Sequence, residues 1–141
     1  MIKKGDRIFY KKGKKFKDIV LLEMLKFVSD KNEISFAESK EKADKIALDS
    51  SIDSESESII KTLIKGNASE LKKFLPVYKN TIKPLYLFLD EEILLYAKLK
   101  KLRFQKSEVK KNKIKRFEDE FEKKHPEVKR AIVNTLFELY R

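Results

Sequence analysis

The side chains of this chain leave few kinds of chemistry open. Its 141 residues contain no cysteine and a single histidine, His125. That excludes a disulfide, a Cys-ligated zinc and an iron–sulfur cluster, and it leaves no Cys–His or His-based nucleophile pair. His125 precedes Pro126, where a helix is expected to start, which is a capping or packing position. Two kinds of cluster remain. One is the loop Lys11-Lys12-Gly13-Lys14-Lys15-Phe16-Lys17-Asp18. Its lysines can attract phosphate, but a single glycine does not build the nest of backbone N–H groups that grips one. The other is an acidic middle with Asp49, Asp53, Glu55 and Glu57. Asp53 facing Ser54 makes a poor site for a hard cation, which prefers several carboxylate oxygens.

Charge points more clearly than catalysis does. Lys and Arg number 34 against 23 Asp and Glu, a net charge of +11 with a pI near 9.6. Such a balance calls for an anionic partner, and RNA is the commonest one for a soluble protein. The basic residues crowd the start and the second half of the chain. The candidates for nucleic-acid contact are Lys98, Lys101, Arg103, Lys106, Lys110, Lys111, Lys113 and Arg116, followed by Lys12, Lys14 and Lys15. Each should touch phosphate rather than read a base, which makes binding steeply dependent on salt. Tyr10, Tyr78, Tyr86, Tyr96 and Tyr140 could stack on bases, although helical spacing places Tyr96 in the core.

The elements that must position these residues follow from periodicity. Arg7-Ile8-Phe9-Tyr10 is β-prone, and Phe16 to Val28 carries apolar residues at helical spacing on almost every face, a buried helix ended by a turn at Ser29–Asn32. Ile34–Ala37 reads as an edge strand, Ser39 as a helix N-cap, and Lys45–Leu48 as a strand. Asp53 is placed to cap a helix over Ser54–Lys65 that buries Ile59, Ile60, Leu63 and Ile64, and Gly66 stops it. Glu57 then falls on the surface. A short helix spans Ser69–Phe74, and Thr81–Phe88 is extended around Pro84. Asp90 caps a helix through Leu102 that buries Ile93, Leu94, Tyr96, Ala97 and Leu99. A charged helix over Glu108–Lys124 carries Val109, Ile114, Phe117 and Phe121 along one stripe. The last helix follows Pro126 and turns Val128, Ala131, Ile132, Leu136 and Leu139 inward. Strand and helix alternate early and helices follow, so the expected class is α/β with a helical C-terminal extension.

Several patches occur in one order: Ile2-Lys3-Lys4-Gly5-Asp6-Arg7-Ile8, Asp44-Lys45-Ile46-Ala47 through Gly66-Asn67, and Lys83-Pro84-Leu85 with Glu92 and Tyr96-Ala97. That order resembles the PP-loop ATP pyrophosphatases that thiolate tRNA, the 2-thiouridine and 2-thiocytidine synthetases. The resemblance implies a reduced adenine-nucleotide-hydrolase-like sheet, some two βα units short before Lys45 and cut to two or three strands. It also implies that the catalyst is degenerate. The family's Ser-Gly-Gly-x-Asp-Ser loop is replaced by the lysine-rich segment, Ser50 stands for a motif histidine, and Gln105-Lys106-Ser107 stands where a cluster cysteine is expected. Lys17, Asp18, Asp53 and Glu57 are then the remnant of a nucleotide site, with no metal and no cofactor expected.

The expected organisation is a truncated PP-loop-like α/β part over residues 1–80 and a helical part over 81–141, packed as one domain. The expected function is a non-catalytic partner or tRNA-binding accessory of a tRNA thiolation system. Its partners would be tRNA and a full-length PP-loop enzyme in a heterodimer, or a second copy in a homodimer, because a sheet so cut leaves an edge to cover. The alternatives are a divergent ATP-dependent tRNA-modifying enzyme using Asp53 and the Lys14–Lys17 loop, and a structural or regulatory module that binds no RNA. No run of about 20 apolar residues is present, so a cytoplasmic protein without a membrane is expected.

Overall fold

The computed structural model describes residues 2–106 and 112–140. The chain runs β1 (Arg7–Tyr10), α1 (Phe16–Asn32), β2 (Ser35–Phe36), β3 (Lys45–Ala47), α2 (Ile52–Ile64), a 3-10 helix (Ala68–Phe74), β4 (Val77–Tyr78), β5 (Thr81–Ile82), α3 (Asp90–Leu99), α4 (Lys113–Lys124) and α5 (Val128–Leu139). The class is mixed α/β, as expected. The sheet has five strands in the order β2-β1-β3-β5-β4, rather than two or three. The β1, β2, β3 and β5 strands are parallel, and β4 turns back against β5. Ile8 faces Lys45 in register, and Ala47 faces Ile82.

One interior cluster joins Ile8, Ala47 and Ile82 of the sheet to Val20, Leu21 and Leu25 of α1 and to Ile93 and Ala97 of α3. A second joins Ile52 and Ile59 of α2 to Leu71, Tyr86, Val133 and Leu136. Each cluster draws residues from both sides of position 80. Because β1 is flanked by β2 on one side and β3 on the other, a crevice opens between the carboxyl ends of β1 and β3. Ligands of open α/β sheets collect at such a crossover point.

Several local expectations change. The α1 helix does not turn at Ser29 but runs to Asn32, and Glu33 ends it in the left-handed region at φ 52°. No helix follows Ser39; residues 37–44 cross to β3 without one. Thr81–Ile82 alone is strand, and the chain turns through Pro84 to Phe88. Gly66 does end α2, at φ 75°. On the helices, Phe27, Leu63, Ile64, Tyr96, Leu99, Phe117, Phe121 and Leu139 lie exposed. Glu118 and Lys129 take interior places on α4 and α5 instead.

Candidate functional site

The loop leaving β1 shapes the first wall of the crevice. Lys15 has extended backbone before α1, and the Asp18 carboxylate accepts its N–H at 3.3 Å. A Cβ on Gly13 would lie 2.1 Å from Asp18 Oδ2, so only glycine lets the loop pass this close. Burial pushes the Asp18 carboxyl up, and Asp49 from the loop after β3, hydrogen-bonded to it, pushes it further. Two acids therefore meet beside the carboxyl ends of β1 and β3. They oppose the charge of the surrounding lysines.

The second wall is the start of α2. Asp53 does not cap it. Ser51 does, fully buried, with its Oγ accepting from the Ser54 N–H. The Ser51 hydroxyl also donates to Asp90 Oδ1 at 2.5 Å. Asp90 likewise is not a cap: it is the first residue of α3, and Glu92 accepts the Leu89 N–H at 3.0 Å. Lys17 completes this knot, donating to Ser54 Oγ at 2.9 Å and pairing with Asp90 at 3.2 Å. Asp53 accepts the Asp90 N–H on Oδ2 at 2.7 Å and the Lys129 ammonium on Oδ1 at 2.5 Å.

Lys129 is the centre of the site, and it is only 4% exposed. Its ammonium also reaches Asp119 at 3.0 Å and Glu122 at 2.8 Å. Burial alone would depress it, but the three carboxylates outweigh burial and hold it charged well above an ordinary lysine. Among the described residues, Asp53, Asp119 and Glu122 are the group whose oxygens lie close enough together to hold a metal ion, and a lysine of the chain itself stands among them. Beside it, Glu118 accepts from Ser56 at 3.2 Å, and burial pushes its carboxyl up to about 7. Glu57 pairs with Lys61 at 2.7 Å and accepts from Asn112; these contacts outweigh its partial burial and hold its carboxyl low. Glu55 is buried against Lys83 at 3.0 Å.

The Lys129 cluster borders a cavity of about 720 Å³ between α3, α4 and the start of α2. Asp53, Asp90, Asp119, Glu122 and Lys129 line it, with Lys98, Lys106, Lys115 and Lys123 around it. The two basic clusters, distant in sequence, meet at this place. The Gln105 N–H donates to the Lys14 carbonyl at 2.6 Å, and the rings of Phe16 and Phe104 touch edge to face at 6.2 Å. Lys12, Lys14, Lys15, Lys98, Lys101, Arg103, Lys106, Lys113 and Arg116 are all exposed. Lys110 and Lys111 lie outside the described residues. Of the remnant nucleotide residues, Lys17 and Asp53 share the Asp90 knot, Asp18 stands on the opposite wall, and Glu57 faces away towards Asn112.

Lys129, Asp90, Asp119 and Glu122 carry this site and lie outside the expected site residues. The helical stripe Lys129-Val133-Leu136 was the available signal for Lys129, competing with the more apolar stripe through Ile132 and Leu136. No local pattern ties Asp53 to a lysine 76 positions away.

No protein-family model matches the chain, and no curated protein matches it. Solved structures do. The U34-tRNA thiolase NcsA from Methanococcus maripaludis, solved with its [4Fe-4S] cluster, superposes with a TM-score of 0.69 at 16% identity, over 97% of this chain and 72% of its own. The likeness establishes the fold, an α/β sheet similar to that of this thiolase. The 141 residues of this chain include no cysteine.

Proposed function

We propose that this chain is a tRNA-binding, non-catalytic relative of the tRNA thiolases, acting as an accessory or partner subunit. The observation that carries the reading is the occupancy of Asp53. Both its oxygens are engaged by the chain itself, one by Lys129 and one by the Asp90 N–H. A carboxylate so held already has its charge balanced by an ammonium of the chain, which opposes a nucleotide-bound magnesium ion at the same oxygens. The facing Asp18 and Asp49, and a loop with one glycine, remove the anion grip as well. What persists around the crevice is positive and exposed, which suits the phosphates of a structured RNA. The likeness to a U34-tRNA thiolase makes tRNA the RNA to try first.

The edge-strand ground for a partner does not hold. The sheet ends in two-residue strands on both sides, β2 and β4, which is how natural sheets blunt their edges. Support comes instead from α3, where Leu95, Tyr96 and Leu99 are 56%, 37% and 73% exposed along one helix. We place a full-length PP-loop enzyme, or a second copy of this chain, on that surface. Among the described residues no helix is long and apolar enough to cross a membrane.

The test replaces Lys98, Lys101, Arg103 and Lys106 with Glu together. The expected result is loss of tRNA binding in filter or mobility assays with unchanged circular dichroism, while the parent protein binds tRNA and shows no heat of binding with ATP and magnesium. Retained tRNA affinity in the variant would remove the basic surface from the proposal. Measurable ATP–magnesium binding would favour the divergent-enzyme reading.

A further inference from the structure

The exposed side of α4 carries a ladder of three rings at helical spacing. Phe117 and Phe121 lie with centroids 6.0 Å apart and planes 29° apart, and Phe121 and His125 follow at 4.7 Å and 31°. The first pair is stacked and the second tilted, neither edge-to-face, and the exposure of the rings leaves aromatic surface open along the strip. Phe117 is 61% exposed and Phe121 40%. The helix is anchored through Glu118 and through the carboxylates that hold Lys129. A concavity of about 420 Å³ runs along it, lined by Phe117, Phe121, Lys123, Lys124 and Glu120. Lys113 and Arg116 are exposed on the same helix. Lys123 borders both this concavity and the larger cavity, so the two adjoin.

We propose that this ladder is a stacking platform for unpaired bases of RNA, continuous with the basic surface described above; the inference rests on that RNA-binding reading and gives it a second, non-electrostatic component. Charge complementarity selects the occupant. Lys113, Arg116, Lys123 and Lys124 against Glu120 leave the strip positive, which suits a polyanion. Planar rings between the cations match nucleobases, which stack on aromatic side chains without regard to sequence. A duplex hides its base faces within its own stack, so the ligand class is a single-stranded segment such as a loop or an unpaired end.

The experiment titrates a short fluorescein-labelled oligo(A) strand, an RNA duplex of equal length and tRNA against the parent protein and against Phe117→Ala/Phe121→Ala, with circular dichroism as the folding control. The double variant should lose roughly ten-fold or more in affinity for oligo(A). Its salt dependence should stay the same, and duplex binding should hardly change. A Phe121→Trp protein has a single tryptophan. Its fluorescence should be quenched by oligo(A) and left unmoved by inorganic polyphosphate. Equal oligo(A) affinity in parent and double variant would overturn the platform while leaving the basic surface intact. Parent protein that binds no nucleic acid at all would overturn both. Self-association of the parent that the double variant loses, with oligo(A) binding unaffected, would assign the ladder to a protein contact and overturn the proposal.

Discussion

Lys129 is one ammonium serving three carboxylates, from α2 and α4, at a point nearly closed to water. Removing it leaves acids buried without a counter-charge, which is far costlier than never having made the pair. Lys129→Met should therefore lower unfolding stability by about 3–5 kcal/mol in urea titrations. Glu118 behaves in the opposite sense. Its folded carboxyl titrates near 7 rather than at 4.5, because it is buried and one oxygen has no hydrogen-bond partner among the described residues. The stability it allows is fully present below pH 4.5 and is lost as pH rises through about 7. Glu118→Gln should remove that decline, gaining on the order of 2 kcal/mol at pH 8 and little at pH 4.5, which melting curves at the two pH values would read.

At the scale of elements, α2 depends on its first turn. Ser51 caps it and ties it to α3 through Asp90. Ser51→Ala should cost about 1–2 kcal/mol, and it should release Asp90 to pair with Lys17 alone. Thermal melts of Ser51→Ala, Asp90→Asn and the double variant separate the cap from the Asp90 bond, since Asp90→Asn leaves the cap in place. The elements themselves were readable where periodicity was strong. The α1 start at Phe16, the β3 strand at Lys45 and the Gly66 stop all follow from pattern and backbone chemistry. The β4–β5 hairpin was not readable, because two-residue strands leave no alternation to detect. Nor was the site. The reading of α4 and α5 followed Phe117, Phe121 and Leu139, since charged residues ordinarily face water. Here Asp53 draws Lys129 inward, and α5 rotates to bury Lys129, Val133 and Leu136. The partner that reverses the rule lies far away in sequence, so no local window contains it.

Over the whole molecule, the decisive arrangement is that two basic segments some ninety residues apart close on one another through Gln105 and Lys14. If the proposed RNA surface spans both segments, it binds by displacing counterions and its affinity responds to salt as a unit. With about six phosphate contacts, tRNA affinity should fall roughly 10³-fold between about 50 and 200 mM salt. The Lys98/Lys101/Arg103/Lys106→Glu protein should show a much shallower slope in the same titration.

The Lys129 tie has a consequence for how the chain comes into being. Synthesis proceeds from the N-terminus, so Asp53, Asp119 and Glu122 emerge before the residue that neutralises them. Until Lys129 appears, closing α4 over α2 would trap three like charges. The sheet cluster contains no residue of α4 or α5, so only the docking of α4 on α2 depends on that lysine. Consolidation of α4 over α2 is thus set by a residue on α5, later in the chain than all three acids.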